Sequence, residues 1–412
     1  MLELLLIITF TGLILSSRRR MGLGNPFQIY FMIWFLVIFG FYFYNETYIR
    51  VSSEFLILIF VAKLFAFTLF FAVYTMHEER TESPPLLNIS KDRDRLILLA
   101  QIAVTIALPF AYLKATTLSG GDSLFSVLGY IKLRLAFTTE GESYGLLSYF
   151  PVLSYVVTSL TIFSYRQGSA HFVRLVISIL VSFAYIFLST GRTYVLLLMC
   201  LMVIPLVISR AIRLKGVLVS IFVLLCFFIL IAGMTGKGIS IDEGLLENID
   251  SLSENLRSYT IAPLLALSKL VASKPRLDWG ENTFRFFISL QYALGLSNIQ
   301  PVALIKEFTY VPDLTNVYTV YEVYFRDFSY SGILIPPLFL VGHYWLYRKA
   351  LLFGGVWIFY YSASVYPLVM QFFQDQYFSI LSLWIQVAFW FWLILLLPKA
   401  SSWIRELRLR NA

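Results

Sequence analysis

Long apolar runs, each closed by a short polar segment, recur along almost the whole chain. At about 20 apolar residues per bilayer crossing, they predict spans near 2–17, 27–45, 54–76, 95–113, 146–165, 172–190, 193–209, 216–235, 327–347, 351–368 and 379–397. The expected fold class is an all-α polytopic membrane protein with about 11 (11–12) transmembrane helices. The linking segments alternate in basic charge. One set holds Arg18 to Arg20; Arg80, Lys91, Arg93 and Arg95; Arg166 and Arg174; Arg210, Arg213 and Lys215; Arg348 and Lys349; and Lys399, Arg405, Arg408 and Arg410 in the tail. Short loops dense in Lys and Arg stay in the cytoplasm, so the N-terminus is expected outside and the C-terminus inside. Two long polar segments then fall on the outer side: a smaller one, 114–145, with an amphipathic run from Ser123 to Phe137, and a large one, 236–326. The chain accordingly divides into 1–235 with helices one to eight, the 236–326 loop, and 327–412 with the last three helices and the tail. So long a connection is expected to carry function.

Composition narrows the class. Of 412 residues, 59% are hydrophobic and 14% charged, and mean hydropathy is +0.77, which leaves too little polar surface for a soluble protein. In so apolar a chain the formal charge of +8 points to positive-inside loops and anionic ligands, not to nucleic acid. Cys200 and Cys226 lie in apolar runs, so no structural disulfide is expected. The first run ends in Arg18-Arg19-Arg20 instead of a small-residue cleavage site, so it is not read as a signal peptide. Without a Walker A pattern, ATP is not the energy source.

Two polar clusters stand where apolar spans end. Ser189-Thr190-Gly191-Arg192-Thr193 joins the sixth and seventh spans at their outer ends. Gly191 permits a tight reversal. Arg192 either snorkels to headgroup phosphates or binds an anion, and its hydroxyl neighbours favour a phosphate-binding fork. The second cluster is TNVYTVYEVYFRDFSYSGILIPP, 315–337, with Asn316, Tyr318, Thr319, Tyr321, Glu322, Tyr324, Arg326 and Asp327. A helix from Val317 would put Tyr318, Glu322 and Arg326 on one face, and Asp327 suits the start of an apolar helix. Tyrosines with amides and carboxylates are the chemistry of a carbohydrate site, and the cation suits phosphate. His77 and His171 fall in cytoplasmic loops, and His343 lies about 24 Å from Asp327 along a helix. No metal cluster, imidazole chemistry or other cofactor is therefore expected on the outer side. Lys63 is the one basic residue deep in a span, with no evident partner there.

The TGRT turn between two spans, the long outer loop, and NVYT followed by Asp-Phe and a glycine at the next span resemble the bacterial oligosaccharide repeat-unit polymerases, the Wzy family of O-antigen polymerases. That family's second motif reads Asp-Phe-Gly-x-x-Gly; here Asp327-Phe328-Ser329-Tyr330-Ser331-Gly332 carries serine at the first glycine. The resemblance implies a glycosyltransferase of the bacterial inner (cytoplasmic) membrane, its active site facing the periplasm, in lipopolysaccharide or similar polysaccharide biosynthesis. A growing glycan would pass from undecaprenyl pyrophosphate to the terminal sugar of a fresh lipid-linked repeat unit. The implied partners are undecaprenyl-pyrophosphate-linked oligosaccharides and the lipid bilayer, and extend to a Wzz-type chain-length regulator and a Wzx-type flippase. Arg192 and Arg326 are then expected to converge on the departing pyrophosphate and stabilise it without a metal, with Asp327 or Glu322 taking the acceptor proton. Thr190, Gly191, Thr193, Asn316, Tyr318 and Tyr321 are expected at the substrate, with Arg257, Arg276, Arg285, Arg134 and Lys132 as further glycan or phosphate contacts.

Two other readings compete. An O-antigen ligase, which transfers glycan to lipid A core, shares the architecture and donor, but such ligases look to rely on a histidine in the outer loop, and this loop has none. A lipid-linked oligosaccharide transporter or flippase is expected to show internal repeats and helices broken near the midplane. Here no repeat is evident, and the charges gather at one face.

Overall fold

The computed structural model describes residues 1–18, 24–44, 51–75, 89–139, 141–191, 193–212, 215–222, 245–311 and 314–396, with the backbone alone for 245–258. In chain order the main helices are α1 (Leu2–Arg18), α2 (Pro26–Phe43), α3 (Ser53–Thr75), α4 (Lys91–Leu118), α5 (Val127–Thr138), α6 (Phe150–Arg166), α7 (Phe172–Ser189), α8 (Thr193–Ile208), α9 (Leu245–Ser273), α10 (Arg285–Ala293), α11 (Tyr321–Gly332), α12 (Ile335–Phe353), α13 (Val356–Met370) and α14 (Leu381–Leu395). One antiparallel hairpin, Thr309–Tyr310 against Leu314–Thr315, makes up the sheet found among the described residues. The all-α class holds. α2, α3, α4, α7 and the stretch Gly145–Arg166 are each long and apolar enough to cross a membrane, and α1, α8, α13 and α14 overlap other expected spans. Most of the eighth expected span, 216–235, lies outside the described residues.

Two compact units form, one from 1–82, 244–349 and 364–382, the other from 83–243, 350–363 and 383–412. They interleave along the sequence. In the first unit α1, α2 and α3 pack together, and α9 packs against α2, α3 and α11. The second half of α9 reads TIAPLLALSKLVA, and Ile261, Ala262, Leu264 to Leu267, Leu270 and Val271 are buried. A helix apolar on nearly all sides belongs in a core, so part of the expected outer loop is core.

In the second unit α6 is the central helix, buried continuously from Val152 to Ser164. Its small hydroxyl residues let neighbouring helices approach: Thr158 donates to the Ser178 carbonyl at 2.9 Å and Ser159 to that of Leu201 at 2.5 Å. At one end of this unit Asp94 of α4 accepts from Ser164 of α6 and from Arg174 of α7, which gathers segments expected to be cytoplasmic. At the other, Tyr144 donates to the Leu188 carbonyl at 2.6 Å, and the Tyr130 ring of α5 stacks on Phe187 at 5.0 Å. The smaller polar segment therefore folds over the end of α7.

The ninth expected span, 327–347, is not one helix. The backbone breaks at Ser329, where φ is 53° and ψ −139°. A Cβ on Gly332 would stand 2.0 Å from the Tyr324 carbonyl oxygen, so glycine is required where the chain folds back on itself. The Tyr324 and Phe339 rings lie 5.7 Å apart, whereas a straight helix would separate those residues by about 22 Å. α12 starts anew after this reversal. α11 runs antiparallel beside the first half of α3, with Tyr321 meeting Lys63 and Tyr330 meeting Glu54.

Candidate functional site

Within the first unit, α11 and the segment 278–307 build a charged cluster. α11 begins at Tyr321, later than the expected Val317, so Tyr318 is not on its face. Glu322 and Arg326, one turn apart, are. Arg326 Nε donates to Glu322 Oε1, and Nη2 donates to Glu307 Oε1 at 2.6 Å. The Tyr318 ring still reaches the guanidinium, with Arg326 Cζ 5.8 Å from its centroid, and its hydroxyl donates to the Glu307 carbonyl at 3.2 Å. Lys306 Nζ stands 3.7 Å from Glu322 Oε1 and donates to Asn282 Oδ1 at 2.6 Å.

Burial pushes Glu322 above the usual carboxylate range, although Lys306 and Arg326 draw it back. The hydrogen bond from Arg326 holds Glu307 below that range. Burial opposes the charge on Arg326, but Glu322 and Glu307 more than offset it and raise its pKa. The cluster thus holds a fixed cation between a buried carboxylate and an exposed one.

Asp327, next along the chain, is fully buried. Its Oδ1 accepts from the Asn282 amide nitrogen at 3.2 Å and Nδ2 at 2.9 Å, and its Oδ2 from the Thr283 nitrogen at 2.7 Å and Oγ1 at 2.6 Å. Both oxygens already hold two donors each. The expected helix-start role gives way to another: Asp327 fixes the turn leading into α10 and, through Asn282, the Lys306 amine. Arg285 also ties this region together, donating from Nε to the Val302 carbonyl at 2.6 Å.

The other expected residues separate. Asn316 is half-buried near the cluster in sequence, Arg276 is exposed, and the Arg257 side chain falls outside the described residues. So does Arg192, although its neighbours on both sides are described. Thr190 closes α7 with φ 52°, Gly191 is pressed by the Tyr194 ring, which a Cβ would meet at 2.7 Å, and Thr193 opens α8. Arg134 is half-buried on α5, and Lys132 pairs with Asp122 at 2.6 Å on the surface.

Two further expectations need correction. Lys63 has partners: Nζ donates to Tyr321 at 2.9 Å and Tyr30 at 3.2 Å and lies 3.1 Å from the centroid of the Trp34 ring. His343 is not set apart by a continuous helix from Asp327. The fold-back brings its Nε2 to 2.8 Å from the Tyr377 hydroxyl, while Nδ1 lies 3.1 Å from Ser364 Oγ. Lys306, Glu307, Asn282 and Thr283 were not singled out from the sequence. Adjacent Lys306-Glu307 in an otherwise apolar and aromatic stretch was the one signal available. No protein-family model, curated protein or solved structure matches the chain.

Proposed function

We propose that the chain is a membrane glycosyltransferase that polymerises undecaprenyl-pyrophosphate-linked repeat units at the periplasmic face of a bacterial inner membrane. Arg326 carries this reading. Glu322 aligns the guanidinium through Nε, and an exposed carboxylate, Glu307, occupies Nη2. That is the position a phosphate oxygen takes in an arginine fork.

In the proposed reaction, the acceptor hydroxyl oxygen bonds to the donor's anomeric carbon. The bond from that carbon to the pyrophosphate oxygen breaks, and its electron pair leaves with the pyrophosphate. Arg326, held in place beforehand, meets the developing charge without reorganising. Glu322, its pKa raised by burial although Lys306 and Arg326 draw it back, is the carboxylate proposed to receive the acceptor proton. Asp327, already saturated, holds the scaffold. Arg192 lies outside the described residues, and its sequence motif alone supports it as a phosphate contact.

The backbone offers further support for the family resemblance. The motif's two glycine positions are Ser329 and Gly332, and these carry the positive φ and the close backbone approach that glycine serves. Glycan chain length on the lipid carrier, in cells making Arg326→Ala or Arg192→Ala at matched protein level, tests the proposal. Single repeat units are expected; polymer of normal length from Arg326→Ala would overturn it.

A further inference from the structure

Lys63 is fully buried, and no carboxylate pairs with it among the described residues. A lysine in an apolar span is costly, so its surroundings must compensate. They are built for an amine: the Trp34 ring lies under Nζ at 3.1 Å, and the Tyr30 and Tyr321 hydroxyls accept from it at 3.2 and 2.9 Å. Aromatic faces and phenol oxygens are the groups that hold an ammonium away from water.

The cage fastens the start of α11. The preceding residue, Val320, has no side-chain capping bond to offer. Instead, the Val320 amide donates to the Gln371 carbonyl at 2.9 Å. The Gln371 side chain in turn accepts from Trp34 Nε1 at 3.2 Å and donates to the Tyr377 hydroxyl at 2.9 Å. The first turn of α11 is thereby gripped twice, at Tyr321 by Lys63 and at Val320 by Gln371, and Trp34 joins the grips. Glu322 follows Tyr321 directly, and Arg326 lies one turn further on. A rotation or slip of this first turn moves both.

We propose that Lys63 is a positioning residue: held by Tyr30, Trp34 and Tyr321, it fixes where α11 begins and so where Glu322 and Arg326 stand. The proposal rests on the reading of those two residues as site residues, but its geometric half can be tested without activity. The Asp278 amide donates to the Arg326 carbonyl at 3.1 Å, which brings the two backbones within disulfide range. Cysteines at Asp278 and Arg326, in a Cys200→Ser and Cys226→Ser background, report the position of α11 by their rate of oxidative cross-linking. Lys63→Met or Tyr321→Phe should slow cross-linking by roughly fivefold or more, since either change removes the 2.9 Å bond.

Polymerisation is measured in parallel with the native cysteines and an intact Arg326. Both variants should lower kcat by roughly tenfold with little change in KM, and the double variant should lose no more than the worse single one. If Lys63→Met does not fold, Tyr321→Phe, which keeps the ring, decides the matter. Unchanged cross-linking in folded variants would overturn the proposal. Slower cross-linking with full activity in an Arg326→Ala control would uphold the positioning and reject the site reading instead.

Discussion

Arg174 and Arg326 are exposed to almost the same small extent, 13% and 12%, and each meets a carboxylate within hydrogen-bond distance. Their surroundings differ. Asp94, 19% exposed, accepts from Arg174 Nη1 at 2.8 Å. Its main-chain carbonyl takes Nη2, while Gln101 takes Nε at 3.0 Å and donates back to the Arg174 carbonyl at 2.9 Å. That arrangement closes on itself and ties helix ends together. Arg326 is aligned by one buried carboxylate, but the partner on its outer edge, Glu307, is 67% exposed. Moving one side chain opens that edge to a ligand. The burial of an arginine thus says less about its role than how readily its partner can be displaced.

The largest expected effect separates the two arginines. Arg326→Ala removes charge-assisted hydrogen bonds from the leaving group, about 3–5 kcal/mol in a partly desolvated site, or roughly a hundred- to a few-thousandfold in rate. Arg326→Lys keeps the charge without the fork and should recover part of that loss. Arg174→Ala should instead cost about 2–3 kcal/mol of stability, below the range for fully buried pairs because both partners are partly exposed. Thermal unfolding and turnover per folded molecule check both; reduced turnover in folded Arg174→Ala would break the comparison.

Next comes the pH profile. Glu322 must be ionised to accept a proton, so activity should fall as pH drops through its raised pKa, and Glu322→Gln should lose about a hundredfold in rate together with that acid limb. The loss is separable from unfolding. A carboxyl with a raised folded pKa binds its proton more tightly in the folded state, so this group adds stability as pH falls through its folded value towards the unfolded one. Glu307 has the opposite sign: its pKa is lowered, so its pairing contributes above the ordinary glutamate value and is lost below it. An acid limb that survives in Glu322→Gln would assign the base elsewhere.

Smaller effects refine the account. Glu307→Gln weakens the competitor for Arg326 Nη2 and should tighten inorganic pyrophosphate binding by about two- to fivefold, read by calorimetry. Ser329→Gly relieves a positive φ and should raise stability by about 0.5–1 kcal/mol. A destabilised glycine variant would mean that the serine side chain has a role of its own.

Hydropathy made the helical class and most helix positions legible, because long apolar runs such as those of α2, α3 and α7 leave few alternatives to a helix. It misread 327–347 because Ser329, Ser331 and Gly332 carry no strong hydropathy signal, yet one positive φ and one close backbone approach there reverse the chain. The apolar half of α9 was visible as a helix, but its burial depends on partners distant in sequence. The same holds for the site. Glu322 and Arg326 were legible through their one-turn spacing, whereas Glu307, Lys306 and the saturation of Asp327 by Asn282 and Thr283 arise from contacts no local pattern encodes. Lys63 stood out in the sequence by its cost, and its compensation comes from rings on α2 and α11.

A structure of the full chain in lipid nanodiscs with undecaprenyl pyrophosphate bound bears most directly on the role of Arg326. The account predicts a phosphate oxygen within hydrogen-bond distance of Arg326 Nη2, the Glu307 carboxylate displaced from it, and the Glu322 contact to Nε retained. Pyrophosphate bound elsewhere, with the 2.6 Å contact between Arg326 and Glu307 intact, would contradict it.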